Sequence, residues 1–506
     1  MLAKVISGAN VGLDSVPVTV EVDVAARGLP SFTLVGLGDR AVEESRERVR
    51  SALINIKADF PQKRIIVNLA PADFPKEGPA FDLPIALGIL LADGQLVADL
   101  SDTLVVGELS LDGSLRPTHG ILAYATLASE LGLKRIFVPV GNAVEAAIVE
   151  GIEVYSFAGL SEGFKFLSGE LNFEPQPPTN LELNAETSCE YDFKDIKGQQ
   201  QAKRALEIAA AGGHNILLKG PPGAGKTLLA RSFPSILPSL TKQESLEVTR
   251  VYSVSGNLSP EAPVVIIRPF RAPHHTASYV GIIGGGNNIK PGEVSLAHRG
   301  VLFLDELPEF PRQVLEALRQ PLEDKKVTIS RASGTLTFPS QFILLAAHNP
   351  CPCGFLGSQN KNCVCLPGQI SRYKKKISGP LLDRIDIHLD VPHVEVDKLT
   401  GQEEGEDSAA IRKRVERARE IQLKRFSESG ILTNSEMGNT HIKQFCQITP
   451  EALELLKLAI SQMNLSARGY HRVLKLSRTI ADLAESENIL TEHIAEALTY
   501  RAHEEN

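Results

Sequence analysis

The sequence contains few cysteines and no long hydrophobic run. Six cysteines among 506 residues are too few for a disulfide scaffold, and four of them lie close together, which indicates a reducing compartment. The longest apolar run, from Leu83 to Ala92, has ten residues and includes a proline, whereas a membrane span needs about 20 residues. The initial residues, MLAKVISGANVGLDS, lack the charged-then-apolar layout of a secretory signal. These absences predict a cytoplasmic protein with no membrane partner.

The charge of the chain is slightly acidic and unevenly distributed. The formal net charge is −8, which by itself argues against a polyanionic partner. Residues 1–180 hold 14 basic and 23 acidic side chains, whereas the rest of the chain holds 39 basic and 38 acidic ones. The acidic surplus therefore belongs to the N-terminal third, and net charge does not exclude nucleic acid as a partner of the remainder.

The chain is predicted to contain three domains and to belong to the α/β class. Its 506 residues predict about two to four domains. A polar stretch with three prolines at 171–190 predicts a linker, and an acidic stretch near 395–408 predicts a second boundary. Residues 1–170 alternate strand-like and helix-like segments, 191–395 hold short apolar strands that suit a parallel sheet, and 396–506 have helical periodicity.

A glycine-rich segment after an apolar strand matches the P-loop pattern GxxxxGK[ST]. Its residues are Gly220, Pro221, Pro222, Gly223, Ala224, Gly225, Lys226 and Thr227. Glycines allow consecutive backbone N–H groups to converge on phosphate oxygens, and a helical run follows directly. We expect Lys226 to contact the β- and γ-phosphates of ATP and the Thr227 hydroxyl to ligate Mg²⁺.

The apolar strand Val301–Leu304 ends in two carboxylates, Asp305 and Glu306. This placement puts Asp305 near the metal and Glu306 where it can polarise an attacking water. A kinase would also need an acceptor site, so the pair favours hydrolysis of ATP. Asn349 follows another apolar strand and is expected to orient water or to sense the γ-phosphate.

Two arginines fit the same chemistry by their order in the chain. Arg384, in GPLLDRIDIHLDV, suits an arginine finger offered to a neighbouring subunit. Arg468, in SARGYHR, begins a helix of the C-terminal domain and is the candidate lid residue that senses nucleotide, with Arg472 as the alternative. Single arginines are more often solvated surface groups, so these assignments depend on order and context.

This order of P-loop, Asp-Glu, Asn, Arg and helical lid is similar to that of AAA+ ATPases. The runs RPFRAPHHTAS, IGGGNNIKPGEVSLAHRGVLFLDELPEF and HNPCPCG resemble the magnesium-chelatase-like group, in its ComM/YifB branch. The resemblance covers essentially the whole chain and implies an AAA+ P-loop core, a hexameric ring and a C-terminal helical lid. It also implies a helicase-type motor that drives branch migration of single-strand invasion intermediates during natural transformation and recombination.

The segment from Val327 to Phe338 is predicted to be a β-hairpin with a glycine-containing turn. Rings of the resembled group project a hairpin at this position into the pore, so Arg331 is the candidate contact to single-stranded or branched DNA. An ordinary surface hairpin is the alternative. The basic helix from Ile411 to Phe426 has two similar interpretations, a DNA contact or a solvated face with internal ion pairs.

The N-terminal domain resembles the proteolytic domain of Lon-type proteases, an α+β fold like ribosomal protein S5 domain 2. PKEGPAFDLP, from Pro75, is similar to the run that holds the nucleophilic serine, and GELSLDGSLRPTHGILAYATLASELGLKRIFVPVGN is similar to the segment that holds the general-base lysine. Ala80 and Leu122 stand where the serine and the lysine are expected. Neither residue supplies the hydroxyl or amine that a Ser–Lys mechanism needs, so the domain is predicted to be proteolytically inactive.

Four cysteines form an insertion at 351–365 with the pattern Cys351-x-Cys353 and Cys363-x-Cys365. Four thiolates can hold Zn²⁺ tetrahedrally with no open position, which predicts a structural metal without a catalytic role. The CxC spacing is tighter than the common CxxC, so four reduced thiols and a regulatory disulfide stay open as alternatives. Histidines without comparable spacing are interpreted as structural residues: His274, His275 and His298.

Two other functions stay open beside the DNA motor. A magnesium chelatase uses a similar AAA+ ring to drive metal insertion into a porphyrin, but its motor subunit is not expected to carry the Lon-like domain or the four-cysteine insertion. An assembly scaffold would use ATP only to set its oligomeric state, and it would not need Glu306, Asn349 or Arg384. The sequence therefore favours the DNA motor.

Overall fold

The computed structural model describes residues 1–25, 29–74, 76–180, 190–259, 261–286, 289–331, 334–357, 361–393, 405–463 and 465–501. The chain divides into two compact units. Unit 1 contains Met1–Leu183, Lys242–Ile266 and Ala332–Phe338, and unit 2 contains Asn184–Thr241, Ile267–Arg331 and Pro339–Asn506. Within the described ranges, no helix combines the length and the apolarity needed to cross a bilayer.

The secondary structure alternates along most of the chain. The strands are β1 (Leu2–Val11), β2 (Asp14–Val24), β3 (Ser31–Val35), β4 (Arg64–Ala70), β5 (Thr103–Val105), β6 (Glu108–Leu109), β7 (Leu115–Arg116), β8 (Arg135–Pro139), β9 (Glu153–Phe157), β10 (Ile216–Lys219), β11 (Phe270–Arg271), β12 (Gly284–Gly285), β13 (Lys290–Pro291), β14 (Val301–Leu304), β15 (Lys326–Arg331), β16 (Gly334–Pro339), β17 (Ile343–His348) and β18 (Ile387–Asp390). The helices are α1 (Arg40–Asn55), α2 (Asp82–Asp93), α3 (Ile121–Glu130), α4 (Ala143–Ala146), α5 (Leu160–Leu167), α6 (Gln200–Gly212), α7 (Lys226–Ser232), α8 (Lys242–Ser255), α9 (Tyr279–Ile283), α10 (Glu293–Leu296), α11 (Arg312–Ala317), α12 (Arg319–Asp324), α13 (Pro367–Lys374), α14 (Gly379–Leu382), α15 (Ser408–Arg425), α16 (Asn439–Phe445), α17 (Pro450–Gln462), α18 (Ala467–Leu483) and α19 (Thr491–Thr499).

Unit 1 contains a seven-stranded mixed sheet with the strand order β3-β4-β2-β1-β5-β8-β9. β1 and β2 pair antiparallel along their whole length, with Val5 opposite Val20, whereas β5, β8 and β9 run parallel to β1. Side chains of β4 alternate between buried and half-buried positions, which is the pattern of a strand with one face on the core.

Helix α2 contains the longest apolar run of the sequence, and nearly all of its side chains are buried. Pro84 lies in its first turn, where a missing N–H removes no helical hydrogen bond. Gly94 ends the helix in a left-handed conformation with φ 81°, as is common at helix C-termini. The helix packs on β1 and β2, so this run forms the centre of the unit 1 core.

Unit 2 contains a five-stranded sheet in which every pair runs parallel, in the order β11-β14-β17-β10-β18. β14 is buried along its whole length and β17 along most of it, because both faces of the central strands are covered. All strands point the same way, so their carboxyl ends form one edge of the sheet and their amino ends form the opposite edge. We call these the carboxyl edge and the amino edge.

The C-terminal part of unit 2 is helical. α15 buries Ile411, Val415 and Ala418 and packs on α6 and α18. Side chains of these helices and of the parallel sheet belong to one apolar cluster. The helical C-terminal part is therefore built onto the sheet through a shared core.

The predicted α/β class, the parallel sheet and the helical C-terminal part are confirmed. The predicted strand Val301–Leu304 coincides with β14. β1 and α2 were not predicted. Residues 181–189 of the predicted linker and residues 394–404 at the second predicted boundary lie outside the described residues, and the domain boundaries stay predictions.

Candidate nucleotide site

The P-loop begins at the carboxyl edge of the parallel sheet. β10 runs directly into the loop, and α7 begins at Lys226. Gly223 and Gly225 have left-handed backbones, with φ 78° and 87°, a conformation that disfavours larger side chains. A Cβ on Gly220 would lie 2.2 Å from the carbonyl oxygen of Val391. The loop therefore needs glycine at these positions to keep its shape.

The Lys226 ammonium lies between the P-loop and the end of β17. Its Nζ donates to the carbonyl oxygens of Gly220 at 2.6 Å and Pro221 at 2.8 Å, and to Asn349 Oδ1 at 3.1 Å. Burial lowers the pKa of Lys226, and the nearby Asp305 carboxylate partly offsets this effect. The fold thus holds a partly desolvated cation at the point where the P-loop surrounds phosphate oxygens.

Thr227 and Asp305 form the candidate magnesium pair. Thr227 Oγ1 donates to Asp305 Oδ2 at 2.9 Å, and Asp305 directly follows β14. The N–H of Glu306 donates to Asp305 Oδ1 at 2.9 Å, and Glu306 itself has a left-handed φ of 52°. Such backbone at a residue other than glycine is concentrated at functional sites.

Asn349 reaches the site because it follows β17, which lies between β14 and β10 in the sheet. Burial lowers the pKa of the preceding His348 to about 4, so its imidazole is neutral at pH 7. The structure therefore brings Lys226, Thr227, Asp305 and Asn349 together at one edge of the sheet.

A histidine that the sequence analysis interprets as structural lies beside Glu306. His275 Nδ1 is 3.5 Å from Glu306 Oε2, and the His275 ring lies 4.1 Å from that of His274 between centroids. His275 follows β11 closely, and β11 pairs with β14. The order of strands in the sheet therefore carries this imidazole to the carboxylate, which histidine spacing in the sequence does not reveal.

Arg384 and Arg468 meet at another place, near the amino edge of the sheet. Both guanidinium groups contact the Glu323 carboxylate, that of Arg468 at 3.2 Å. The Arg384 carbonyl accepts from Asn215 Nδ2 at 3.0 Å, and Asn215 directly precedes β10. From Asn215 to Gly220 the strand advances about 16 Å. Neither arginine therefore reaches the P-loop of its own chain.

The arginines at the amino edge keep donors without partners. In the part of the chain that the structure describes, the Nε atoms of Arg384, Arg472 and Arg319 are buried without a hydrogen-bond acceptor. Arg472 also donates to the Ile385 carbonyl at 2.9 Å and lies 3.3 Å from Asp383. A buried donor without an acceptor costs about 1–3 kcal/mol. This cluster therefore holds more arginine donors than the described residues satisfy.

The side chains at the carboxyl edge fit ATP with Mg²⁺. The glycine-rich loop presents backbone N–H groups, and Lys226 adds a cation. A threonine hydroxyl beside an aspartate carboxylate is the protein ligand set that Mg²⁺ takes in P-loop sites. The Glu306 side chain lies next to this pair and is 56% exposed, so water can reach its carboxylate.

Comparison with known proteins agrees with this arrangement. The families described as "Magnesium chelatase, subunit ChlI", "Subunit ChlI of Mg-chelatase" and "Magnesium chelatase, subunit ChlI C-terminal" match residues 192–399, 20–142 and 405–501. Competence protein ComM of Haemophilus influenzae is 45% identical over 99% of this chain and 97% of its own length, and YifB of Escherichia coli is 43% identical with the same coverage. The chain belongs to the ComM/YifB branch of the magnesium-chelatase-like AAA+ ATPases.

Membership of this AAA+ family confirms the predicted resemblance and the assignment of the parallel sheet to an AAA+ core. Similarity to Lon proteases is partial. Lon protease 2 of Bacillus subtilis is 30% identical over 146 residues, which are 28% of this chain and 26% of that protein.

The two positions that correspond to the Lon dyad are apolar and buried in unit 1. Ala80 is 4% exposed and packs in a cluster with Tyr124, and Leu122 is 3% exposed. The Leu122 N–H donates to Glu145 at 3.0 Å, and Glu145 also accepts from the Ser253 hydroxyl of α8. Burial raises the pKa of Glu145. These positions therefore form part of the packed core against which α8 lies.

Two hairpins bring Arg331 beside a second turn of the AAA+ core. β15 pairs with β16, and β12 pairs with β13. A Cβ on Gly285 would lie 3.3 Å from Arg331 Nη2, and one on Gly284 would lie 2.8 Å from Ile329. Arg331 and Lys290 are exposed. The predicted hairpin is present, and its turn residues 332 and 333 lie outside the described residues.

The four cysteines of the insertion meet in space. Sγ–Sγ distances are 3.4 Å for Cys351–Cys353, and 3.6 Å from each of these to Cys363, and all four sulfurs lie within 4.8 Å of one another. The Cys353 N–H donates to the Cys365 sulfur at 3.4 Å. A tetrahedral zinc site has sulfur–sulfur edges of about 3.8 Å, whereas a disulfide bond measures about 2.05 Å. The spacing fits a shared metal better than a disulfide.

Most arginines of the basic helix α15 bind within the chain. Arg414 lies 2.5 Å from Glu207, Arg425 lies 2.5 Å from Asp482, and Arg419 donates to the Ala210 carbonyl at 2.8 Å. These arginines are therefore paired within the chain, whereas the sequence interpretation expected a solvated face with ion pairs to carboxylates of the same helix. Their partners come from other helices rather than from the carboxylates of α15 itself.

Proposed function

We propose that this protein is a DNA-translocating AAA+ ATPase. It acts as a hexameric ring in the cytoplasm and drives branch migration of single-strand invasion intermediates in natural transformation and recombination. The observation that carries the ATPase part is the set of contacts among Lys226, Thr227, Asp305 and Asn349. The DNA part is supported by the relative named competence protein ComM and by the exposed cations of the paired hairpins.

Each side chain at the carboxyl edge has a role in hydrolysis. ATP bound with Mg²⁺ supplies the phosphoanhydride bond that is cleaved. Lys226 and the loop N–H groups hold phosphate oxygens, and Thr227 and Asp305 hold the metal. Glu306 orients the attacking water and accepts its proton, and Asn349 fixes the water or the γ-phosphate beside Lys226.

The arginines at the amino edge act on a neighbouring subunit. Arg384 lies too far from its own P-loop to touch phosphate, and its Nε is buried without an acceptor. Arg468 shares Glu323 with Arg384, so we assign it to the same intersubunit site. In this arrangement the γ-phosphate of ATP bound to one subunit contacts the guanidinium groups of the next subunit.

The paired hairpins supply the DNA contact of the pore. Arg331 and Lys290 are exposed cations on neighbouring hairpins. A ring of such cations attracts a phosphate backbone even when the net charge of the protein is not positive. We expect Arg331→Ala to remove most DNA stimulation of ATP hydrolysis while hydrolysis without DNA continues. Equal stimulation of both proteins would contradict the assignment.

ATP hydrolysis measured with and without single-stranded or branched DNA separates the motor from the two other functions. We expect DNA to stimulate turnover, with Lys226→Ala as the inactive control. Turnover that does not respond to DNA would favour a chelatase-type motor. Absence of turnover in a protein that binds ATP and assembles would favour the scaffold.

We propose that the cysteine cluster holds a structural zinc ion. The sulfur–sulfur distances support it. Metal analysis of the purified protein is expected to give one zinc per chain. A variant with all four cysteines changed to serine is expected to give none, and full retention of zinc in that variant would contradict the proposal.

We propose that unit 1 is a scaffold without peptidase activity. Ala80 and Leu122 offer neither a nucleophile nor a base. Wild-type protein is expected to leave unfolded casein intact with or without ATP. Cleavage that persists in highly purified protein would overturn this assignment and point to a catalytic pair elsewhere.

A further inference from the structure

One long segment of the sequence contains no acidic residue. Between Lys325 and Leu382 there are 58 residues with eight lysines and arginines and no aspartate or glutamate. At the average composition of the chain, about seven acidic residues would be expected there. The segment includes Arg331, the cysteine cluster and helix α13. In a chain of net charge −8, this one stretch of sequence therefore carries only positive charge.

Several cations within and after the cysteine cluster are exposed, and two of them have no ion-pair partner among the described residues. Lys361, Arg372 and Lys375 are exposed, and the described residues offer Arg372 and Lys375 no carboxylate within ion-pair distance. Lys376 is paired with Glu309 at 2.9 Å. Helix α15 is equally basic but binds its arginines internally. Arg372 and Lys375 are therefore available to a partner.

An open groove runs beside these cations along α13. Its lining combines Pro367, Ile370 and Ile377 with the side chains of Lys374 and Lys375, around a volume of about 490 Å³. An apolar floor with a cationic rim matches a single nucleic-acid strand, whose bases are apolar on their faces and whose backbone is anionic. A duplex hides those faces, so it would use only the rim.

We propose that helix α13 and its C-terminal end form a second binding surface for single-stranded DNA, made of the groove that Lys375 lines and of Arg372, which is exposed on the same helix. This inference rests on the proposed function. Phosphate oxygens accept hydrogen bonds from the Arg372 guanidinium and the Lys375 ammonium, and base faces lie on Ile370 and Pro367. This groove surface is distinct from the hairpin that carries Arg331.

The groove surface is connected to the nucleotide site through the cysteine cluster. Cys351 lies two residues after Asn349. A Cβ on Gly354 would lie 2.5 Å from Pro222 of the P-loop and 3.8 Å from Asn349. A DNA strand bound beside the cysteine cluster therefore influences residues that contact the P-loop, and through them the ATPase site.

The test compares two double variants of the full-length protein. Arg372→Ala/Lys375→Ala, called the rim variant, removes two exposed cations of the proposed surface, and Lys443→Ala/Lys457→Ala removes two exposed cations from α16 and α17 as a charge-matched control. Fluorescence anisotropy with a fluorescein-labelled 40-nucleotide oligo(dT) is measured with a slowly hydrolysed ATP analogue. Binding of the analogue by each variant shows that the nucleotide site is folded.

We expect the rim variant to raise the Kd on the order of tenfold, and the slope of log Kobs against log salt to decrease by about 1.4 for two lost phosphate contacts. The control is expected to change Kd less than twofold. A rim variant with the Kd of the control would overturn the inference. Poly-glutamate that displaces the oligonucleotide as well as unlabelled DNA does would also overturn it, because the groove would then bind any polyanion.

The outcome also separates this inference from the proposed function. If wild-type protein binds no DNA in any nucleotide state, the proposed function fails and this inference fails with it. If wild-type protein binds DNA and Arg331→Ala weakens binding but the rim variant does not, the motor stands and the groove surface is excluded.

Discussion

The two edges of the parallel sheet differ in how completely their polar groups are satisfied. At the carboxyl edge, Lys226 is bonded to Asn349 and Thr227 to Asp305. At the amino edge, Arg384 and Arg472 keep buried Nε donors without acceptors among the described residues. The polar side chains of the carboxyl edge are therefore bonded to one another, whereas the amino edge keeps arginine donors that the described residues do not satisfy.

Under the proposed function, a single chain holds two halves of a hydrolytic site. Parallel strands separate the halves by about 16 Å, so they cannot meet within one subunit. A ring with head-to-tail interfaces brings the amino edge of one copy to the carboxyl edge of the next. We therefore expect substitutions at the two edges to impair different steps: ATP binding and hydrolysis at the carboxyl edge, and hydrolysis alone at the amino edge.

The largest effect is expected from Lys226→Ala at the carboxyl edge. Loss of this ammonium removes the phosphate contact, so ATP binding should weaken and hydrolysis should fall by about 10³-fold or more. Binding of a fluorescent ATP analogue and phosphate release measure the two effects. Lys443→Ala, an exposed lysine of α16, is the control. Tight analogue binding by Lys226→Ala would show that the ammonium does not hold phosphate.

Arg384→Ala at the amino edge should separate binding from hydrolysis. We expect hydrolysis to fall by about 10³-fold, the usual scale for an arginine finger, while the affinity for the ATP analogue stays within about threefold because the P-loop is untouched. Arg417→Ala, which breaks only an exposed pair with Glu485, is the control. Normal turnover of Arg384→Ala would remove the amino edge from the catalytic site.

Acid should destabilise unit 2 through a buried histidine near each edge. Burial lowers the pKa of His348 and of His388 to about 4. The unfolded chain takes up these protons below about pH 6.5, whereas the folded chain does not, so stability is complete above pH 6.5 and is lost as the pH falls towards 4. We expect a loss of about 2 kcal/mol for each histidine at pH 5.

Calorimetry between pH 5 and 7.5 measures this loss as a lower Tm. His388→Gln should flatten part of the pH dependence, because a glutamine has no proton to bind. An unchanged Tm across this range in the wild-type protein would mean that neither histidine is held neutral by its surroundings.

The smallest effect is expected from His275→Ala, beside Glu306. The imidazole positions the carboxylate, so its loss should lower kcat about tenfold, or about 1.4 kcal/mol, and change the KM for ATP less than twofold. His274→Ala, which removes only the neighbouring ring, is the control. A KM effect larger than the kcat effect would assign His275 to ATP binding.

Local motifs in the sequence predict the carboxyl edge well. GPPGAGKT and VLFLDE each join an apolar strand to polar residues, and parallel pairing then forces their ends to one edge. The contact of Lys226 with Asn349 follows from the same rule. Motif and topology agree here because each residue directly follows its own strand.

Contacts that depend on the order of strands or on distant helices could not be predicted in this way. His275 reaches Glu306 because β11 is the neighbour of β14 in the sheet. No single sequence motif specifies the order of strands in a sheet. Glu323 contacts both Arg384 and Arg468, which lie 61 and 145 residues further along the chain. α2 was missed because a helix that is apolar on every side has no period to detect.

Mixing two inactive variants tests most directly whether the two edges form one site between subunits. Lys226→Ala and Arg384→Ala proteins are combined in equal amounts under conditions that exchange subunits, and ATP hydrolysis is measured. The account predicts recovery to about a quarter of the wild-type rate, because about one interface in four pairs an intact P-loop with an intact finger in a head-to-tail ring. A mixture as inactive as either variant alone, in rings shown to have exchanged subunits, would contradict it.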